Sequence, residues 1–84
     1  MSTVVTDDEA KLAIAVNVKR RMGELGISQA DLARATGENE VRISSVVRAV
    51  HLPSGGFLAR IAEALRVSID ELFDTPPKKS RRSA

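Results

Sequence analysis

The chain has 84 residues, enough for one small domain, and its 43% apolar and 29% charged residues with only two phenylalanines as aromatics describe a globular helical protein, not a disordered chain or a β-sandwich. Zero cysteines exclude disulfides and thiolate metal sites, and the longest apolar run, Leu12 to Val16, is far short of the roughly 20 residues that span a bilayer, so a cytoplasmic protein without a leader, membrane partner or cofactor is expected. The formal charge of +2 is unevenly spread: all 11 acids lie in residues 1–74, which carry a net −2, and Lys78, Lys79, Arg81 and Arg82 supply the excess.

In chain order, residues 1–6 read as a flexible polar segment. Thr6 with Glu9 has capping-box spacing, and Asp7 and Asp8 complement a first helical turn. A helix over about 7–25 follows, with Ile14, Val18, Met22 and Leu25 forming one apolar stripe before Gly26 stops it. Ser28 with Asp31 opens a short second helix that points Leu32 and Ala33 inward and ends at Gly37. Asn39 caps a third, from residue 40 to about 48, whose inner face is Ile43, Val46, Val47 and Val50.

The stretch from His51 to Gly56 reads as a loop. A fourth helix then places Leu58, Ile61, Ala62 and Leu65 inside and Arg60, Glu63 and Arg66 outside. Ser68 with Glu71 caps a last short helix expected to bury Ile69, Leu72 and Phe73. Pro76-Pro77 ends the folded part, so the domain spans 7–74 and residues 75–84 form a disordered basic tail. The expected fold is all-α, a compact bundle of five helices.

The second and third helices, joined through Gly37, make a helix-turn-helix. Ala33 is small where the third helix crosses, Gly37 admits a positive φ, and Ile43 and Val46 point back into the crevice. These features, together with Gly26-Ile27-Ser28-Gln29, Asp31-Leu32-Ala33, Ile43-Ser44, Pro53-Ser54, Ile61-Ala62-Glu63-Ala64-Leu65 and the closing run Val67 to Phe73, resemble the lambda-repressor/Cro-like helix-turn-helix family over about residues 18–73. The resemblance implies a bundle that binds double-stranded operator DNA, usually as a dimer.

With the apolar side turned inward, Glu40, Val41, Ser44 and Ser45 face outward near the start of the third helix, the part that the resemblance sends into the major groove. Glu40 suits cytosine N4, Val41 a thymine methyl, and the serines base edges or phosphates. The family positions imply base contacts mainly at Glu40, Val41 and Ser45, and a phosphate contact at Gln29. Arg42 and Arg48 are the charged phosphate candidates, ahead of Arg34 and His51, and Asn39 completes the DNA-facing set.

The chain departs from the family pattern in three places. Glu38 stands at a usually apolar turn position and, with Glu40, puts acid where DNA approaches. Ala49 stands where many relatives have the glycine of a left-handed helix exit, so that exit is expected to change. Met22 and Val47 occupy the positions of a common arginine–glutamate pair.

Other residues read more plainly. His51 lacks the companions of a metal site. Ser28, Ser54 and Ser68 are caps rather than nucleophiles, so no triad and no enzyme is expected. Leu12 and Val16 either pack on the last helix or form a self-association surface. The expected function is a sequence-specific transcriptional regulator, a repressor binding a palindromic operator as a homodimer, with no small-molecule ligand. The alternative is an antitoxin- or antirepressor-like protein-interaction module. With no sensor or protease domain beyond residue 74, control is expected through concentration, dimerisation or a partner.

Overall fold

The structure, a computed structural model, describes residues 6–74. The readings made on residues 1–5 and on the tail from residue 75 lie outside the described residues. Among the described residues five helices occur: α1 (Asp7–Leu25), α2 (Gln29–Thr36), α3 (Glu40–Val47), α4 (Gly55–Leu65) and α5 (Ile69–Phe73).

Every helix begins on a hydroxyl or amide side chain that accepts from a backbone N–H three residues on. Thr6, Ser28 and Ser68 form complete capping boxes with Glu9, Asp31 and Glu71, while Asn39 and Ser54 cap α3 and α4. At the other ends α1 and α2 stop on left-handed glycines, Gly26 (φ 71°) and Gly37 (φ 75°), and the next N–H bonds back to Met22 and Ala33 respectively.

The exit of α3 keeps this form against expectation. Ala49 adopts φ 60° and the Val50 N–H bonds to the Ser45 carbonyl at 2.8 Å, so the hydrogen bonds of the turn impose the left-handed conformation on a residue with a Cβ. Arg66 does the same after α4, with φ 61°.

One hydrophobic core joins all five helices. Ile14, Val18 and Met22 of α1 meet Leu32 and Ala33 of α2, Ile43, Val46 and Val47 of α3, the inner face of α4 and Leu72 of α5. Fully burying each large aliphatic side chain contributes about 1.5–3 kcal/mol. Helix α1 is the spine, packed on α3, α4 and α5, while α2 packs on α3 and α4.

Several expectations fail at the edges. Val50 lies beyond the end of α3 and is exposed, because the helical spacing that linked it to Ile43 stops at Val47. Gly55 and Gly56 belong to the first turn of α4, not to the loop. Ser54 supplies the cap there, and first-turn N–H groups have no intrahelical partner to lose. In α5 only Leu72 is buried; Ile69 and Phe73, four residues apart, share the outward side of a five-residue helix. Leu12 is 59% exposed and so is not buried against α5, and the bond that ties α5 to α1 lies more than a turn further along, at Asn17. Val16 is partly buried.

Two polar side chains finish the bundle. The Asn17 amide nitrogen, in a buried residue, donates to the carbonyls of Leu72 (2.9 Å) and Asp74 (2.8 Å), and its oxygen accepts from Arg20 at 2.8 Å. Arg21 Nε donates to the Leu65 carbonyl at 2.8 Å, one of the free carbonyls at the end of α4.

Candidate nucleic-acid interface

Helices α2 and α3 are built to hold one surface outward. Ala33 is buried and Gly37 turns the chain so that α3 starts three residues later on the Asn39 cap. With Ile43, Val46 and Val47 buried, the opposite face of α3 carries Glu40, Val41 and Arg42 in solvent. Val41 is 74% exposed, the most open of the large apolar side chains among the described residues. Ser44 and Ser45 are only partly exposed, which narrows the surface toward the first turn.

The other predicted residues are distributed around this face. Gln29 is the first residue of α2 and is partly buried. Asn39 is exposed, but its side-chain oxygen already accepts from the Arg42 N–H at 2.9 Å, leaving its NH2 as the free group. Arg48, at the C-cap of α3, is exposed and forms no ion pair among the described residues. Arg34 is paired with Asp31 on α2. A shallow groove of about 280 Å³ runs beside α3, lined by Val41, Arg42, Ser45, Val46, His51, Leu52, Pro53 and Phe57.

Charge at the turn differs from the sequence expectation. Glu38 is not a bare acid facing DNA: its side chain is 15% exposed and each oxygen accepts from an arginine, Arg42 Nη1 at 3.1 Å and Arg60 Nη2 at 2.8 Å. Arg60 Nε also donates to the Thr36 carbonyl at 3.0 Å. The two guanidinium carbons lie 5.0 Å (Arg42) and 5.8 Å (Arg60) from the centre of the Phe57 ring. Thus Arg42 is held rather than free, and Arg60 belongs with it. The Glu38-to-Arg42 spacing of four is legible in the sequence; the pairing with Arg60, 22 positions away, has no sequence signal.

At the start of α2 the Ser28 backbone N–H, bonded to the Asp31 carboxylate at 2.9 Å, holds that carboxyl below its ordinary value, assisted by the Ser28 hydroxyl and by Arg34. Among the described residues no group of three His, Cys, Asp or Glu side chains is placed to hold a metal ion, and no helix is long and apolar enough to cross a membrane. Met22 and Val47, the exchanged ion-pair positions, are both buried in the core where α1 packs on α3.

The helix-turn-helix family model HTH_3 matches residues 18–72. Two solved structures are similar over 93% of the chain. The crystal structure of a hypothetical transcription factor, NHTF, from Neisseria has a TM-score of 0.79 at 23% identity over 90% of its own length, a likeness of fold. That of an HTH_3 family transcriptional regulator from Vibrio cholerae has a TM-score of 0.77 at 29% identity, with the match spanning 45% of that longer chain. No curated protein matches the sequence. The chain belongs to the lambda-repressor/Cro-like helix-turn-helix family HTH_3.

Proposed function

We propose that this helix-turn-helix chain is a DNA-binding transcriptional regulator that inserts α3 into the major groove, as a homodimer on a palindromic operator, and acts as a repressor. The observation that carries the reading is the outer face of α3. Its inner side chains are locked in the core, while Val41 stands 74% exposed between the polar Glu40 and Arg42. An apolar side chain left open in the first turn of a braced helix suits a thymine methyl, and Glu40 beside it suits cytosine N4. Family membership supports DNA binding, and the similar Vibrio cholerae chain is described as a transcriptional regulator.

In this reading Glu40, Val41 and Ser45 choose the sequence, with Ser44 and the Asn39 amide at the edge of the same surface. Gln29, Arg42 and Arg48 contact phosphates. Two copies related by a twofold axis place their α3 helices about 34–36 Å apart along the duplex. Repression, in this reading, comes from the dimer occupying its site.

Selection of bound sequences from a random duplex pool tests the proposal. A palindrome with half-sites one helical turn apart is expected, and Glu40→Gln should change the preferred base at one position in each half-site, costing about 1–3 kcal/mol for the original base. Binding to random duplex should weaken steeply with salt. A chain that selects no sequence and shows no salt-dependent binding to duplex DNA is instead a protein-interaction module.

A further inference from the structure

We propose that Arg60 of α4 is a second phosphate-contacting cation beside Arg42, and that Glu38 is the positioning residue that sets the two guanidiniums side by side for one DNA strand. The inference rests on the DNA-binding reading above and adds to it an arginine from outside the helix-turn-helix.

The Glu38 side chain is 15% exposed, whereas those of Arg42 and Arg60 are 53% and 47% exposed. The carboxylate therefore lies beneath the two cations, and a phosphate arriving from solvent meets guanidinium before it meets carboxylate. One negative charge against two positive ones leaves the cluster with a net positive charge. An acid that merely masked Arg42 would lie outside it, between the arginine and the solvent.

The spacing is also fixed. Each guanidinium bonds to a different oxygen of the same carboxylate, at 3.1 Å and 2.8 Å. Both flank the Phe57 ring, and Arg60 is held a third time by the Thr36 carbonyl at the end of α2. Arg42 Nε and Nη2 and Arg60 Nη1 keep their N–H groups without a protein partner among the described residues. These are the groups left for phosphate oxygens, which the planar arginine fork suits better than a lysine does. Side chains ordered on folding give up less freedom on binding, so the clamp favours affinity without reading sequence.

The test measures binding of the wild type, Glu38→Gln, Arg60→Ala and Arg60→Lys to random duplex and to the selected operator over roughly 50–200 mM salt. Circular dichroism checks that each variant is folded at the temperature used. Arg60→Ala should weaken both duplexes alike and reduce the salt slope by about 0.9, the loss of one phosphate contact. Arg60→Lys should restore the slope, because the charge returns, but not the full affinity, because the fork does not. Glu38→Gln should weaken binding to both duplexes although it removes a negative charge, since an amide offers one accepting oxygen where the carboxylate held two arginines.

Uniformly tighter binding by Glu38→Gln would overturn the positioning role. An unchanged slope and affinity in Arg60→Ala would remove Arg60 from the interface; if Glu38→Gln does not fold, the two Arg60 variants decide. Either result alongside steep salt dependence of the wild type fails this inference alone. A wild type that shows no salt-dependent binding to duplex DNA fails the functional reading itself.

Discussion

Helix α2 is closed at both ends by residues next to it: Ser28 and Asp31 bond to each other three positions apart, and Gly37 turns back onto Ala33 and Arg34. Helix α5 has a capping box of the same kind at Ser68, yet it is five residues long and buries only Leu72. What ties its far end down is Asn17, 55 positions from Leu72 in the chain. A helix of that length does not persist on local bonds. The caps of α2 are thus short-range bonds, added to the packing of α2 and α3 on α1 and α4, whereas the α1–α5 seam concentrates its polar contacts on one buried amide.

The largest expected effect concerns the junction on which both regions depend. Met22→Arg places a charge in the core between α1 and α3 and should destabilise the fold by about 3–5 kcal/mol, less if the side chain reaches water. Adding Val47→Glu should recover a large part of the loss. Thermal unfolding of both single variants and the double variant reads the coupling; a value near zero would show that these two buried side chains are not partners.

The comparison itself is tested by Asn17→Ala. It leaves the Leu72 and Asp74 carbonyls without their donor and should cost about 1–3 kcal/mol, with hydrogen exchange accelerated first in α5. Ser28→Ala, which removes one local cap, should cost about 1 kcal/mol. Equal costs, or loss of protection in α2 before α5 in the Asn17 variant, would break the contrast.

A smaller, signed effect sharpens it within the helix-turn-helix. Gly37→Ala should destabilise by about 1–2 kcal/mol, because φ 75° is unfavourable for a side chain even where no atom crowds the new Cβ. Ala49→Gly at φ 60° should run the other way, stabilising by no more than about 1 kcal/mol, since relief of strain is offset by a freer unfolded chain.

Acid titration gives the smallest effect. The Asp31 carboxyl is held below its ordinary value of 3.8. A carboxyl whose value is lowered by folding contributes stability that is present above the unfolded value and lost as pH falls through the folded one. Asp31→Asn should therefore melt slightly below the wild type at neutral pH, and the two melting curves should converge as the pH drops below about 4. A constant difference down to the acid limit would show that Asp31 acts by shape alone.

Contacts that span three or four residues along one helix, or a single turn, were legible from the amino-acid order. These include the caps at Thr6, Ser28, Asn39, Ser54 and Ser68, the stop at Gly37, the apolar faces of α1 and α4, and hence five helices, a helix-turn-helix and an outward start of α3 at Glu40 and Val41, though not the full exposure expected of Ser44 and Ser45. Backbone N–H groups at a helix start need a nearby acceptor, so the residues that supply one reveal themselves by spacing. Tertiary structure alone decided the rest. Glu38, an apparent liability, became the partner of Arg42 and Arg60; Asn17, on an apolar stretch, became the anchor of α5; and Ile69, Phe73 and Leu12 remained outside. In each case the deciding partner lies elsewhere in the chain, or is missing because α5 is too short to cover the face. A buried polar group takes whichever partner the packing brings to it, and no periodicity along the chain encodes that meeting.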